Sequence, residues 1–220
     1  MSDNSNKNPG RIPKHYIKAQ GERLLRNWAY FPRSLLELKE EIESCQKCPN
    51  LVQTRKMYLY GKPTFSFGNP KSCVIIVAQA PGSDGAGTTG FVYEPYSKTG
   101  RIYENCLKAV NKTFESVYTT NLVKCCPIKG GTPTEEEIAN CLPYLIREIN
   151  IIQPKRVIAT GSIPGKTLWE NRKLITADIS QIRHPGFIIR GGMKSFDYMR
   201  DFAQLLNSCF NINSKQTTLT

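Results

Sequence analysis

Apolar positions along this chain follow two rhythms. Residues 73–78 (CVIIVA), 116–123 (SVYTTNLV), 156–160 (RVIAT) and 179–183 (ISQIR) are short and rich in β-branched side chains. The first is apolar throughout, as expected of a strand buried on both faces. Between them apolar residues recur at helical spacing, over 34–42, 101–111, a stretch starting near Thr134, 163–169 and 195–206. Ser34 is a possible cap for the first of these, and Thr134 with Glu137 three residues on forms a capping box. Pro143 is placed to kink or restart that helix. A long glycine-rich loop covers 81–100.

Strands alternating with helices predict a three-layer α/β/α sandwich with a central, mainly parallel four-stranded sheet. Ligands bind such sheets beyond the carboxyl ends of the strands. Four segments should meet there: 79–87, 121–125, 161–162 and 184–186. The expected organisation is a basic, partly disordered arm over 1–33, one domain over 34–208 and a tail over 209–220. The arm rests on Lys7, Arg11, Lys14, Lys18, Arg23, Arg26 and Arg33 against Asp3 and Glu22.

Composition narrows the class of partner. The 220 residues carry 30 Lys+Arg and 18 Asp+Glu, a formal net charge of +12. That favours a polyanion, with nucleic acid ahead of a membrane surface. No apolar run approaches the roughly 20 residues of a membrane span, and the N-terminus shows no signal-peptide core. An intracellular, monomeric protein with no membrane partner is expected. In that setting eight cysteines beside two histidines point to metal ligands or buried thiols rather than disulfides.

Cys45 and Cys48 stand at the C-x-x-C spacing that lets two thiolates share a metal. Cys125 and Cys141 form a second pair, with fifteen residues between them that include a Pro/Gly turn and a helix start. Four thiolates suit zinc or an iron–sulfur cluster, and spacing leaves both open. Cys126 is the rival to Cys125. Cys73, Cys106 and Cys209 read as buried thiols.

Several motifs, in order, resemble the iron–sulfur uracil-DNA glycosylases of families 4 and 5, over roughly residues 40–205. They are Cys45-Gln46-Lys47-Cys48-Pro49, Gly61-Lys62-Pro63 with Phe67-Gly68-Asn69-Pro70, Ala78-Gln79-Ala80-Pro81-Gly82, Thr120-Asn121-Leu122-Val123-Lys124-Cys125 with Cys141-Leu142-Pro143, and His184-Pro185-Gly186. The resemblance implies a [4Fe–4S] cluster on Cys45, Cys48, Cys125 and Cys141, with zinc the lesser candidate. It implies base flipping and excision of uracil, or another deaminated base, from DNA. Gln79 stands where family 4 carries Glu, and a Gln cannot act as a general base. A catalytically weak or inactive nucleic-acid-binding protein on the same fold is therefore the alternative.

Breaking a C1′–N bond needs an anion stabiliser for the departing base, a positioned water and a pocket for the flipped nucleotide. His184 is the candidate donor to the base oxygen, and Asn121 the reader of the base edge. Asp84 and Glu94 are the candidate water activators. Gln79, Ala80, Pro81 and Gly82 would line the base, with Phe91, Tyr93 or Tyr96 stacking on it. Arg190 and Lys194 would grip flanking phosphates, and Phe187, Ile188 and Ile189 could wedge into the stack.

Overall fold

The computed structural model describes residues 12–215, with side chains described as far as residue 210. The sheet has five strands: β1 (Phe67–Gly68), β2 (Val74–Ala78), β3 (Tyr118–Asn121), β4 (Arg156–Thr160) and β5 (Asp178–Ile182), in the order β1-β3-β2-β4-β5. The four expected strands are all parallel to one another. The fifth is the two-residue β1, antiparallel to β3. Two residues are too few to carry an alternation pattern, so β1 is invisible to hydropathy. Every residue of β2 is buried, as befits a central strand covered on both faces.

The helices are α1 (Lys14–Trp28), α2 (Arg33–Ser44), α3 (Pro49–Arg55), α4 (Ala86–Thr89), α5 (Lys98–Lys108), α6 (Glu135–Ile152), α7 (Ser162–Glu170), α8 (Gly186–Ile189) and α9 (Ser195–Lys215). Two packed pairs, α5 with α9 and α2 with α6, flank the sheet. The capping box of α6 forms as expected: Thr134 Oγ1 accepts from the Glu137 amide at 3.1 Å, and Glu137 Oε2 accepts from the Thr134 amide at 2.9 Å. Pro143 does not interrupt α6. It only removes the amide that would bond the Ala139 carbonyl. The residue before α2 is Pro32, and no side chain caps that helix.

Residues 1–11 of the expected arm lie outside the described residues, but from Lys14 onward the chain is helical. Gln20, Leu24 and Trp28 are four apart and all buried. That one-sided spacing docks α1 on the sheet edge. The Trp28 indole donates to Ser66 O at 2.8 Å, and Asn27 exchanges two hydrogen bonds with Gly68 of β1. Arg23 lies over the rings of Phe67, Phe91 and Phe114 and pairs with Glu115. Much of the positive charge read as an arm thus sits on a packed helix. The expected tail from 209 likewise begins as the last turns of α9. Cys209 Sγ lies 2.9 Å from Cys73 Sγ, pinning α9 to the start of β2.

Candidate active site and cysteine cluster

The parallel topology brings the four expected segments to the carboxyl edge of the sheet. Leu122 N and Val123 N donate to Ala78 O and Gln79 O at 2.8 and 3.0 Å, extending the β2–β3 pairing into the first motif. Gly161 N donates to Ile182 O at 2.7 Å and ties β4 to β5 in the same way. Asn121 and His184 therefore stand at the same edge, on either side of the ends of β2 and β4. Three strand spacings put their backbones roughly 14 Å apart.

Asn121 is 2% exposed, yet its amide nitrogen has no hydrogen-bond partner among the described residues. A buried unpaired donor costs about 1–3 kcal/mol, so this nitrogen is available to a water or a ligand. His184 is held by the turn it begins: Nδ1 accepts from the Gly186 amide at 3.0 Å. That bond places the ring proton on Nε2, leaving Nε2–H as a free donor. Gly161, with φ of +111°, carries β4 past the His184 ring. A Cβ built there would stand 3.5 Å from that of His184.

Burial, and then the charge of Arg190, lower the His184 pKa from 6.5 to about 4. The imidazole is therefore neutral at physiological pH. The unfolded chain takes up a proton between those two values that the fold refuses. The contribution of His184 is thus fully favourable above pH 6.5 and is lost as pH falls toward 4, a loss of about 3 kcal/mol. Urea unfolding near neutral pH and near pH 4 should show His184→Gln losing less stability on acidification than the wild type by about that amount.

The aromatic candidates separate by depth. Phe91 is wholly buried against Phe67 and Phe114. Tyr93, with φ of +53°, turns inward and stacks on Tyr103 at 4.5 Å. Its hydroxyl meets Thr160 Oγ1, and its ring lies 6.1 Å from that of His184, so it forms the inner wall of the site. Tyr96 is exposed at the rim.

The carboxylate candidates separate too. Asp84 is exposed on the loop after β2, beside Ser83 at 3.3 Å, and its charge is felt by Cys126. Glu94 is 1% exposed, and both its oxygens are engaged. One accepts from Tyr16 Oη at 2.7 Å and Tyr96 N at 3.1 Å; the other accepts from Thr89 Oγ1. Glu94 thus ties its loop to α1. Gly100 lets the loop backbone lie close against α5, since a Cβ there would fall 1.9 Å from Glu94 O. Of the first motif, Pro81 is buried, Gln79 and Ala80 are half-buried and Gly82 is exposed. Arg190 and Lys194 are exposed beyond α8, with Ile189 also on the surface.

The four candidate metal ligands come from the α2–α3 junction (Cys45, Cys48), the segment after β3 (Cys125) and α6 (Cys141). They lie close enough to influence one another electrostatically. Burial pushes the thiols of Cys48 and Cys125 up, and that of Cys141 up to about 11. Two of the sulfurs meet a donor: Asn140 Nδ2 at Cys48 (3.5 Å) and Arg55 Nη2 at Cys125 (3.3 Å). Hydrogen bonds to sulfur suit thiolates that hold a metal group, so these residues fit one. Among the described residues, no three His, Cys, Asp or Glu side chains stand in an array able to hold a single metal ion. Cys126 points elsewhere, donating to Pro127 O and lying close to Gly87 in the loop after β2.

Sequence reading missed several partners. Tyr16, Arg55, Asn140 and Thr160 carry no local signal, because each acts on a residue distant in the chain. The buried Lys124–Glu148 pair, 2.6 Å apart, was missed for the same reason.

Residues 65–207 match the model of the uracil DNA glycosylase superfamily, and the chain belongs to that family. Among its relatives, a type-4 uracil-DNA glycosylase of Pyrobaculum aerophilum is 40% identical over 138 residues, 62% of this chain and 65% of the relative. The type-4 enzyme of Archaeoglobus fulgidus is 27% identical over 206 residues, 84% of this chain and 97% of the relative. A type-5 uracil-DNA glycosylase of Pyrobaculum aerophilum is 25% identical over 198 residues, 80% and 83% of the two chains. No helix among the described residues is long and apolar enough to cross a membrane.

Proposed function

We propose that this protein is a DNA repair enzyme that hydrolyses the N-glycosidic bond of deoxyuridine in DNA and leaves an abasic site. The observation that supports this reading is the unpartnered amide of buried Asn121 at the same sheet edge as a neutral His184. A flipped uracil offers carbonyl oxygens and an N–H to such groups. Asn121 reads the base edge. As the C1′–N1 bond breaks, its electron pair passes to the base and charge gathers on the uracil oxygens. His184 Nε2–H donates to that charge without having to lose a proton of its own. The sugar, left with oxocarbenium character, is captured by water.

Neither carboxylate candidate is a ready base. Glu94 spends its oxygens on Tyr16, Tyr96 and Thr89, Asp84 lies on an exposed loop, and Gln79 carries no charge. The departing base must therefore be stabilised chiefly by donors. Arg190 and Lys194 flank the pocket and suit the phosphates on either side of the flipped nucleotide. Cys45, Cys48, Cys125 and Cys141 are the ligands for a [4Fe–4S] cluster, with zinc the lesser candidate. When bound, such a group cross-links three chain segments through metal–thiolate bonds.

The test is direct. The full chain, purified without loss of metal, is incubated with single-stranded and duplex oligonucleotides carrying uracil, hypoxanthine or mismatched thymine, and then treated with alkali. Strand cleavage at uracil is expected. DNA binding with no cleavage at any base would instead favour the inactive binding protein to which Gln79 points.

A further inference from the structure

We propose that Tyr96, braced by Tyr16 of α1, is a stacking platform for an unpaired DNA base next to the flipped nucleotide. This rests on the excision reading above, because flipping one nucleotide leaves its neighbours without a stacking partner. Of the three aromatic residues in the loop after β2, Phe91 and Tyr93 are spent in the interior, while Tyr96 is 45% exposed. Exposure alone would say little. The support beneath Tyr96 is what distinguishes it.

The ring of Tyr96 lies 5.4 Å from that of Tyr16, tilted by 51°. One buried carboxylate oxygen fixes both residues: Glu94 Oε1 accepts the Tyr16 hydroxyl at 2.7 Å and the Tyr96 amide at 3.1 Å. The exposed ring therefore stands on a fixed backbone and a fixed partner ring, and binding has little order left to impose on it. Glu94 is adjacent in sequence to Tyr93, which lines the His184 side of the pocket. The platform is thus continuous with the pocket wall. Lys98, two residues on in the chain, is exposed. An exposed aromatic ring with a cation close by in the chain is the composition that binds single-stranded nucleic acid, through base stacking and phosphate contact together.

The experiment uses a single-stranded oligonucleotide whose 2′-fluoro-deoxyuridine resists excision, with 2-aminopurine at each flanking position in turn. Stacking quenches 2-aminopurine fluorescence. The wild-type chain should quench it at one flanking position. Tyr96→Ala should abolish that quenching and raise Kd about 5- to 150-fold, the range reported for one base–aromatic stack. With cleavable substrate, its KM should rise more than its kcat falls, while Tyr96→Phe and Tyr96→Trp should restore both quenching and affinity. Wild-type quenching and Kd in a folded Tyr96→Ala would overturn the platform, as would failure of Tyr96→Phe equal to that of Tyr96→Ala. Absence of uracil excision by the wild type would overturn the excision reading instead, and the quenching titration reads the platform independently of it.

Discussion

His184→Ala should lower kcat for uracil excision by about 10²–10³, the usual cost of removing one donor aimed at developing negative charge. KM should change far less, because the charge exists only in the transition state. Single-turnover excision under saturating protein would check this. Asn121→Ala should lose activity comparably but by another route: its amide meets the base before as well as during bond breaking, so binding of uracil-containing DNA weakens too. The pH profile separates His184 from a general base. A histidine acting as a base with an ordinary pKa would lose activity as pH drops through 6.5. Here the working form is the neutral donor, with a pKa near 4, so the His184-dependent part of kcat should stay level from neutrality to about pH 5. A wild-type profile breaking near 6.5 and abolished in His184→Ala would refute the donor role.

The second large effect is on stability. Glu148 lies at the centre of a buried network, accepting from Tyr118 Oη at 2.8 Å, Thr120 Oγ1 at 3.0 Å and Lys124 Nζ at 2.6 Å. Both members of the ion pair are essentially solvent-free. Glu148→Leu strands the Lys124 ammonium in the interior and should cost about 3–5 kcal/mol, read from urea unfolding. The double variant Lys124→Met/Glu148→Leu should recover much of that loss, since it removes the stranded charge as well. The network bears on function by position. Lys124 adjoins Cys125, Thr120 adjoins Asn121, and Glu148 lies on the helix that carries Cys141. It therefore holds the end of β3 that carries Asn121, and Cys125 and Cys141, in one frame.

Much of this architecture was legible from local chemistry. The apolar run of β2, the capping box of α6 and the alternation of strand and helix are short-range signals, and they lead to a mainly parallel sheet. The sequence also places Asn121 and His184 at one edge of that sheet, and the structure puts Asn121 at the end of β3 and His184 two residues past β5. The α1 helix was not read, since its lysines and arginines masked the spacing of Gln20, Leu24 and Trp28. Charge told of a polyanionic partner, but not that Arg23 would lie over three phenylalanine rings.

The division follows from the range of the forces involved. The sequence by itself determined four of the five strands, five of the helices, the family motifs and the set of thiols, all of which depend on residues near one another in the chain. Tertiary structure alone set the surroundings of the two candidate water activators: Asp84 is exposed on its loop, while buried Glu94 accepts from Tyr16, 78 positions earlier. It also decided which aromatic residue faced solvent, and that the His184 imidazole is neutral with its proton on Nε2. Burial and long-range hydrogen bonds set those properties, and neither exists until the chain has folded.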